Sequence, residues 1–118
     1  MTRTQRYPAR PLTPATLHIL LSLAQESAHG YHIKRMVEER TNGAVRLGAG
    51  TLYAGIQRMV KDRLIEETDP PEEAGDLEPG SRWRFYTITD QGRGVLEKEI
   101  TRLEADLQAA RSIVQRTA

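Results

Sequence analysis

Apolar positions along the chain recur at helical spacing in four stretches, with two short runs of strand-like residues between the third and the fourth. Thr13-Pro14 opens the first stretch. Threonine can accept a bond from an orphan amide as N-cap, and proline at the first helical position loses nothing by lacking an N–H. Leu17, Leu20, Leu21 and Ala24 form a stripe that Ile19 and Leu23 widen past one face, so the spacing predicts a helix covered on two sides. Ser27-Ala28-His29-Gly30 reads as the break. A second helix is predicted from about Gly30 to Thr41, with Ile33, Met36 and Val37 inward and Lys34, Arg35 and Glu38 outward. Asn42-Gly43 stops it, because both residues tolerate positive φ. Val45-Arg46-Leu47 reads as a short extended segment closed by Gly48-Ala49-Gly50.

The third helix is predicted from about Thr51 to Arg63. Leu52, Ile56, Met59 and Val60 fall on its inner face, and Thr51, Ala54, Gln57, Arg58 and Lys61 cluster opposite. That outer face combines small residues, which permit close approach, with an amide and cations that can read base edges. Leu64 to Thr68 reads as a strand, Asp69 to Ser81 as a loop rich in proline, glycine and acids, and Arg82 to Ile88 as a second strand of high β-propensity. Thr89-Asp90 caps a final helix running to about Val114. Its Leu96, Ile100, Leu103, Leu107, Ala110 and Val114 are spaced 4, 3, 4, 3, 4, a heptad seam. A helix of roughly 25 residues is about 37 Å long, more than a core this small can cover, so a second copy of the chain is expected along it.

The expected fold is mainly α with a small antiparallel β-hairpin: a winged helix-turn-helix followed by a long C-terminal dimerisation helix. Residues 1–11 are expected to be a flexible basic arm carrying Arg3, Arg6 and Arg10. Residues 12–88 form the winged domain, and 89–118 the dimerisation helix.

Composition sharpens this outline at a few points. A chain of 118 residues is one domain. The absence of cysteine excludes disulfides, thiolate metal sites and thiol nucleophiles, and fits a cytoplasmic setting. No apolar run is long enough for a membrane span, and the N-terminus lacks a secretion signal. The net charge of +1 hides a division. Residues 1–68 carry 10 Lys/Arg against 6 Asp/Glu, residues 69–81 carry 5 acids and no base, and residues 82–118 carry 7 bases against 5 acids. A basic body is masked by one acidic loop, and charge distribution is what an anionic partner feels.

Several segments resemble the PadR family of transcriptional regulators. They are Leu12-Thr13-Pro14, His29-Gly30-Tyr31-His32-Ile33, Gly50-Thr51-Leu52-Tyr53, Leu64-Ile65-Glu66, the run from Arg84 to Thr89, and Gly92-Arg93. The resemblance spans about residues 12–104. It implies a homodimeric, sequence-specific DNA-binding regulator in which Tyr31, Gly50, Thr51 and Tyr53 touch double-stranded DNA and the last helix packs against the partner subunit. The chain resembles the short branch, without a separate C-terminal domain. Gly50 and Thr51 sit at a helix N-terminus, where free amides favour a phosphate. Tyr53 suits both a DNA contact and a packing role. Gln57, Arg58 and Lys61 are added as base and phosphate contacts, with Lys34 on the supporting helix and Arg82 and Arg84 on the wing. Ala49 stands where the family often has proline. The acidic tip of the wing suits neither phosphate contact nor a DNA-facing position, so it is expected to point away or to meet another protein.

Catalysis finds no support: no serine is placed with a histidine and an acid, and Gly48-Ala49-Gly50 is followed by no Gly-Lys-Ser/Thr. Neither a cofactor nor a metal is expected. His29 and His32, with His18 as a third, lack an acid at a matching position, and His29-Gly30 reads as shaping a turn. The resemblance implies that flat aromatic effectors can bind between the long helices. Here Trp83 lies on the hairpin and the last helix has no aromatic residue, so the identity of any small-molecule effector stays open. The reading is a repressor binding an inverted repeat and released by a ligand or partner. A protein-interaction module with little DNA binding and a small-molecule sensor are its rivals.

Overall fold

The computed structural model describes residues 10–72 and 84–117. The elements in chain order are helix α1 (Pro14–Gln25), strand β1 (Ala28–His29), helices α2 (Gly30–Arg40) and α3 (Ala49–Lys61), strands β2 (Ile65–Thr68) and β3 (Phe85–Ile88), and helix α4 (Asp90–Thr117). Helix α1 starts as its cap predicts, with the Thr16 amide donating to Thr13 Oγ1 at 3.1 Å. Its fully buried positions are Ile19, Leu20, Ser22 and Leu23. The residues expected to widen the stripe are therefore its centre, while Leu17, Leu21 and Ala24 are only partly covered. The cause is crowding: α2, α3, β3 and α4 all pack on α1.

Helices α2 and α3 end alike. Asn42 (φ 52°) and Arg63 (φ 63°) both occupy the left-handed region just past the helix. After α2, the Gly43 amide reaches Glu38 O (2.8 Å) and the Asn42 amide reaches Glu39 O (3.3 Å). After α3, Leu64 reaches Met59 O (2.9 Å) and Arg63 reaches Val60 O (3.0 Å). These paired 6→1 and 5→2 bonds satisfy carbonyls that a helix end leaves bare. Arginine in this conformation corrects the expectation that α3 runs through Arg63. The helix also begins two residues earlier than expected, at Ala49 behind an N-cap Gly48.

The wing is a three-stranded antiparallel sheet in the order β1-β3-β2. The expected hairpin is present, with Ile65 opposite Ile88 and Thr68 opposite Phe85. A third strand, which the sequence did not suggest, lies beside it. Val45–Leu47 is no strand: the Val45 amide is satisfied by Thr41 Oγ1 at 3.0 Å, and Leu47 is buried. Instead Ala28 and His29, read as a break, pair with Tyr86 and Phe85. The second strand begins at Phe85, later than the expected Arg82; Arg82 and Trp83, the acidic residues 73–81 of the loop and the arm residues 1–9 lie outside the described residues. One core joins these layers, from Ile19, Leu20 and Leu23 through Ile33, Val37, Leu52, Ile56 and Ile65 to Ile88 and Leu96.

Helix α4 is seated on that core only at its start. The Thr89 hydroxyl accepts from the Gly92 amide at 2.9 Å, and as a donor it is shared between Arg63 O (2.7 Å) and Leu64 O (3.0 Å). Gly92 lies against Leu64 O so closely that no side chain fits there. Leu96 and Glu99 are buried, and every side chain from Leu103 to Arg116 is exposed.

Candidate nucleic-acid interface

Helix α3 buries Leu52, Gly55, Ile56 and Met59, with Ile19 against Gly55. Val60, placed on the inner face by the sequence, is 39% exposed. At 100° per residue it lies roughly 90° from the centre of the buried stripe, so it forms the rim. Opposite stand Thr51, Ala54, Gln57, Arg58 and Lys61, all exposed. The first bond inside the helix is from Leu52 N to Gly48 O (2.9 Å). The amides of Ala49, Gly50 and Thr51 precede it at the positive end of the helix dipole, a geometry that suits a phosphate oxygen. Gly48 and Gly50 have open space around them.

Tyr53 belongs to the packing of the site. A Cβ at Gly30 would fall 2.7–2.9 Å from atoms of the Tyr53 ring, so the ring lies directly on the first residue of α2. A side chain at position 30 would push the end of the Tyr53 side chain aside. The ring remains 48% exposed, leaving its other side open. Tyr31, the next residue of α2, is also exposed. Tyr86 on β3 is partly covered, and its hydroxyl is pushed above the usual tyrosine value, first by burial and then by the Glu67 carboxylate.

The cations expected at the interface fall into two groups. Arg58 and Lys61 stand exposed on α3. Lys34 is held by Glu38 at 3.0 Å one turn along α2, and Arg84 approaches Glu67 at 3.7 Å across the wing. Binding through these two would first require them to exchange a carboxylate for a phosphate. Arg82 is outside the described residues.

Two polar clusters escaped the sequence reading. Arg40 fastens α2 to α1 by donating to Ser22 Oγ (3.0 Å) and Gln25 Oε1 (3.2 Å), beside His18 Nδ1 at 3.4 Å. Burial and the Arg40 charge together hold the His18 pKa below its ordinary value. Glu99, 4% exposed, accepts from Arg102 and from the Leu12 amide. The spacing of Glu99 and Arg102 is that of a helical ion pair. Nothing in the sequence marks Glu99 as buried or joins it to the Leu12 amide, or Ser22 to Arg40, because those partners lie far off along the chain. His29 has a further structural role, as the N-cap of α2: its Nδ1 accepts from the His32 amide at 3.2 Å. Among the described residues no cluster of histidine, cysteine and carboxylate could hold a metal, and no helix is long and apolar enough to cross a membrane.

A helix-turn-helix whose second helix presents an exposed cationic face, flanked by a small antiparallel wing, defines a winged-helix DNA-binding protein. The chain belongs to the transcriptional regulator PadR-like family, whose model matches residues 19–98. An uncharacterised protein of Lysinibacillus sphaericus is 31% identical over 80 residues, covering 68% of this chain and 69% of that protein. Two solved structures are similar in fold. A transcriptional regulator from Clostridium thermocellum has a TM-score of 0.68 at 21% identity, over 94% of this chain and 93% of that one. A PadR family regulator from Clostridium difficile has a TM-score of 0.69 at 22% identity, over 86% and 99%. The protein is a DNA-binding transcriptional regulator and not an enzyme.

Proposed function

We propose that the protein acts as a homodimeric repressor, its two α3 helices entering successive major grooves at the half-sites of an inverted repeat. The observation that carries this reading is the state of α4. Beyond Glu99 the helix leaves the body, and its seam residues Ile100, Leu103, Leu107 and Val114 are 40%, 38%, 55% and 64% exposed. Ala110, in the same seam, is exposed too, as is Ile113 beside it. A rod of 28 residues, about 42 Å long, with an apolar seam at heptad spacing is suited to a second rod. Pairing two chains through it fixes the separation of the recognition helices, which a palindromic operator mirrors.

Gln57 and Arg58 then read base edges, Lys61 and the amides of Gly50 and Thr51 hold phosphates, and Tyr31 and Tyr53 border the contact. Residues 12–88 are the reading unit and 89–118 the pairing unit. Repression follows from occupying promoter DNA, and release from a ligand or partner that alters how the rods meet.

Mobility shift with DNA from upstream of the protein's own gene, at two salt concentrations, tests the reading. Specific binding that weakens steeply with salt supports it. Arg58→Ala should cost about 1–3 kcal/mol and relax sequence preference, while Lys61→Ala should lower the salt slope by about one. Neutralising Glu72 and Glu73 should not weaken binding. Equal binding by the Arg58 and Lys61 variants would show that α3 is not the reading helix.

A further inference from the structure

Besides the apolar packing of Val95 and Leu96, bonds or close backbone contact hold the rod to the body at two places. The first is its start, where Thr89 bonds the Arg63 and Leu64 carbonyls and Gly92 lies against Leu64 O. The second is Glu99, the last buried side chain of α4 among the described residues. Its carboxylate receives Arg102 at both oxygens, Nε to Oε1 at 3.0 Å and a terminal nitrogen to Oε2 at 2.6 Å. Oε2 also accepts from the Leu12 amide at 3.3 Å, and Arg102 in turn donates to Asp106 at 2.8 Å. This line of bonds runs from the segment leading into α1, through Glu99, to the exposed part of the rod. Leu96 contributes apolar contact nearby, but such contact is non-directional. The bidentate pair lies within α4 and fixes the direction of the Glu99 carboxylate, and the directional bond to the body is the one from the Leu12 amide.

Resting on the reading of the protein as a rod-paired DNA-binding dimer, we infer that Glu99 is a positioning residue that sets the angle of α4 on the body and thereby the half-site spacing the dimer accepts. The geometry makes the angle consequential. From residue 103 the free rod extends 15 residues, about 22 Å, and a tilt of roughly 10° over that length moves its far end by about 4 Å, close to one base-pair rise of ~3.4 Å. Arg102 keeps Oε2 aimed at Leu12, and Asp106 keeps Arg102 in place. An apolar residue at position 99 would still fill the space, yet would leave the tilt to be set by packing alone and the Leu12 amide without its acceptor.

The test uses the full chain and duplexes carrying half-sites selected by the wild-type protein from random DNA. The half-sites are presented singly and as inverted pairs at a series of centre-to-centre spacings. Wild type should favour one spacing by about tenfold over its neighbours, because misplaced half-sites must be brought into register by deforming the DNA. Glu99→Met should reduce that preference to about threefold or less while binding the single half-site as wild type does, since position 99 is remote from α3. Glu99→Gln, which retains an acceptor for Leu12, should restore much of the preference. Arg102→Met, which frees the carboxylate to turn, should reduce it and serves as the readout if Glu99→Met does not fold. A spacing profile unchanged in both Met variants would overturn the inference, as would dissociation of Glu99→Met into single chains, which would make Glu99 a plain stability residue. Failure of the wild type to bind any spacing would defeat the DNA reading itself, and is told apart by the single half-site control.

Discussion

Gly92 shows how a single position joins the wing to the rod. A methyl group there would collide with the Leu64 carbonyl, just before β2, and would also press on Ile88 at the end of β3. Backbone cannot yield as a side-chain tip can, so Gly92→Ala should destabilise by roughly 3 kcal/mol or more, read as a lowered midpoint in urea unfolding. His29 offers a different kind of test. Its Nδ1 must be unprotonated to cap α2, and burial, with the neighbouring His32 charge, holds its pKa below the ordinary 6.5. His32 itself faces Glu26 at 3.6 Å, and Phe85 lies edge-on to the His29 ring. The unfolded chain therefore binds the proton more readily than the folded one. The stabilisation is present above about pH 6.5 and is lost as pH falls through the lower folded value. His18, lowered in the same direction beside Arg40, adds to the effect. Thermal unfolding followed from pH 7.5 to 5 should show a falling midpoint. His29→Asn, a cap that does not titrate in this range, should make that fall shallower.

At the scale of elements, the four helices were legible in the sequence because their apolar periods are long, and the ends of α1, α2 and α4 carry local signals. Thr13, Thr89 and the Asn42-Gly43 stop act within a few residues of themselves, so spacing and chemistry coincide. The strand at Ala28–His29 was not legible. Two residues carry no periodicity, and they are extended only because β3, more than fifty positions away, supplies partners. The stop at Arg63 was hidden for a related reason: arginine gives no signal for a left-handed conformation, and the turn is imposed by the bonds to Met59 and Val60. On the outer face of α3 the pattern located Gln57, Arg58 and Lys61 correctly as exposed. The Lys34–Glu38 pair on α2 has the i,i+4 spacing of a helical ion pair, whereas nothing in the spacing reveals that Tyr53 rests on Gly30. Gly30→Ala should therefore displace the Tyr53 ring, raising its exposure to solvent. Quenching of tyrosine emission by acrylamide, compared between Gly30→Ala and Tyr53→Phe backgrounds, checks this.

For the whole molecule the balance turns on α4. The body below Glu99 has a continuous core and needs no partner to explain its packing. The rod beyond it has an exposed seam, and exposed apolar stripes of this kind are costly unless another surface covers them. Leu103→Lys together with Leu107→Lys should separate the chains while leaving the winged domain folded, because neither residue touches the core. Circular dichroism and mobility shift on a two-half-site duplex would show a folded protein whose affinity falls by at least about tenfold, as expected when two linked reading heads become independent. The measurement that tests the central claim most directly is the sedimentation equilibrium of the free wild-type chain at micromolar concentration. The account predicts a species of twice the 13.3 kDa chain mass, reduced to a single chain by the two lysine substitutions. A wild-type protein that sediments as one chain across that range would contradict it.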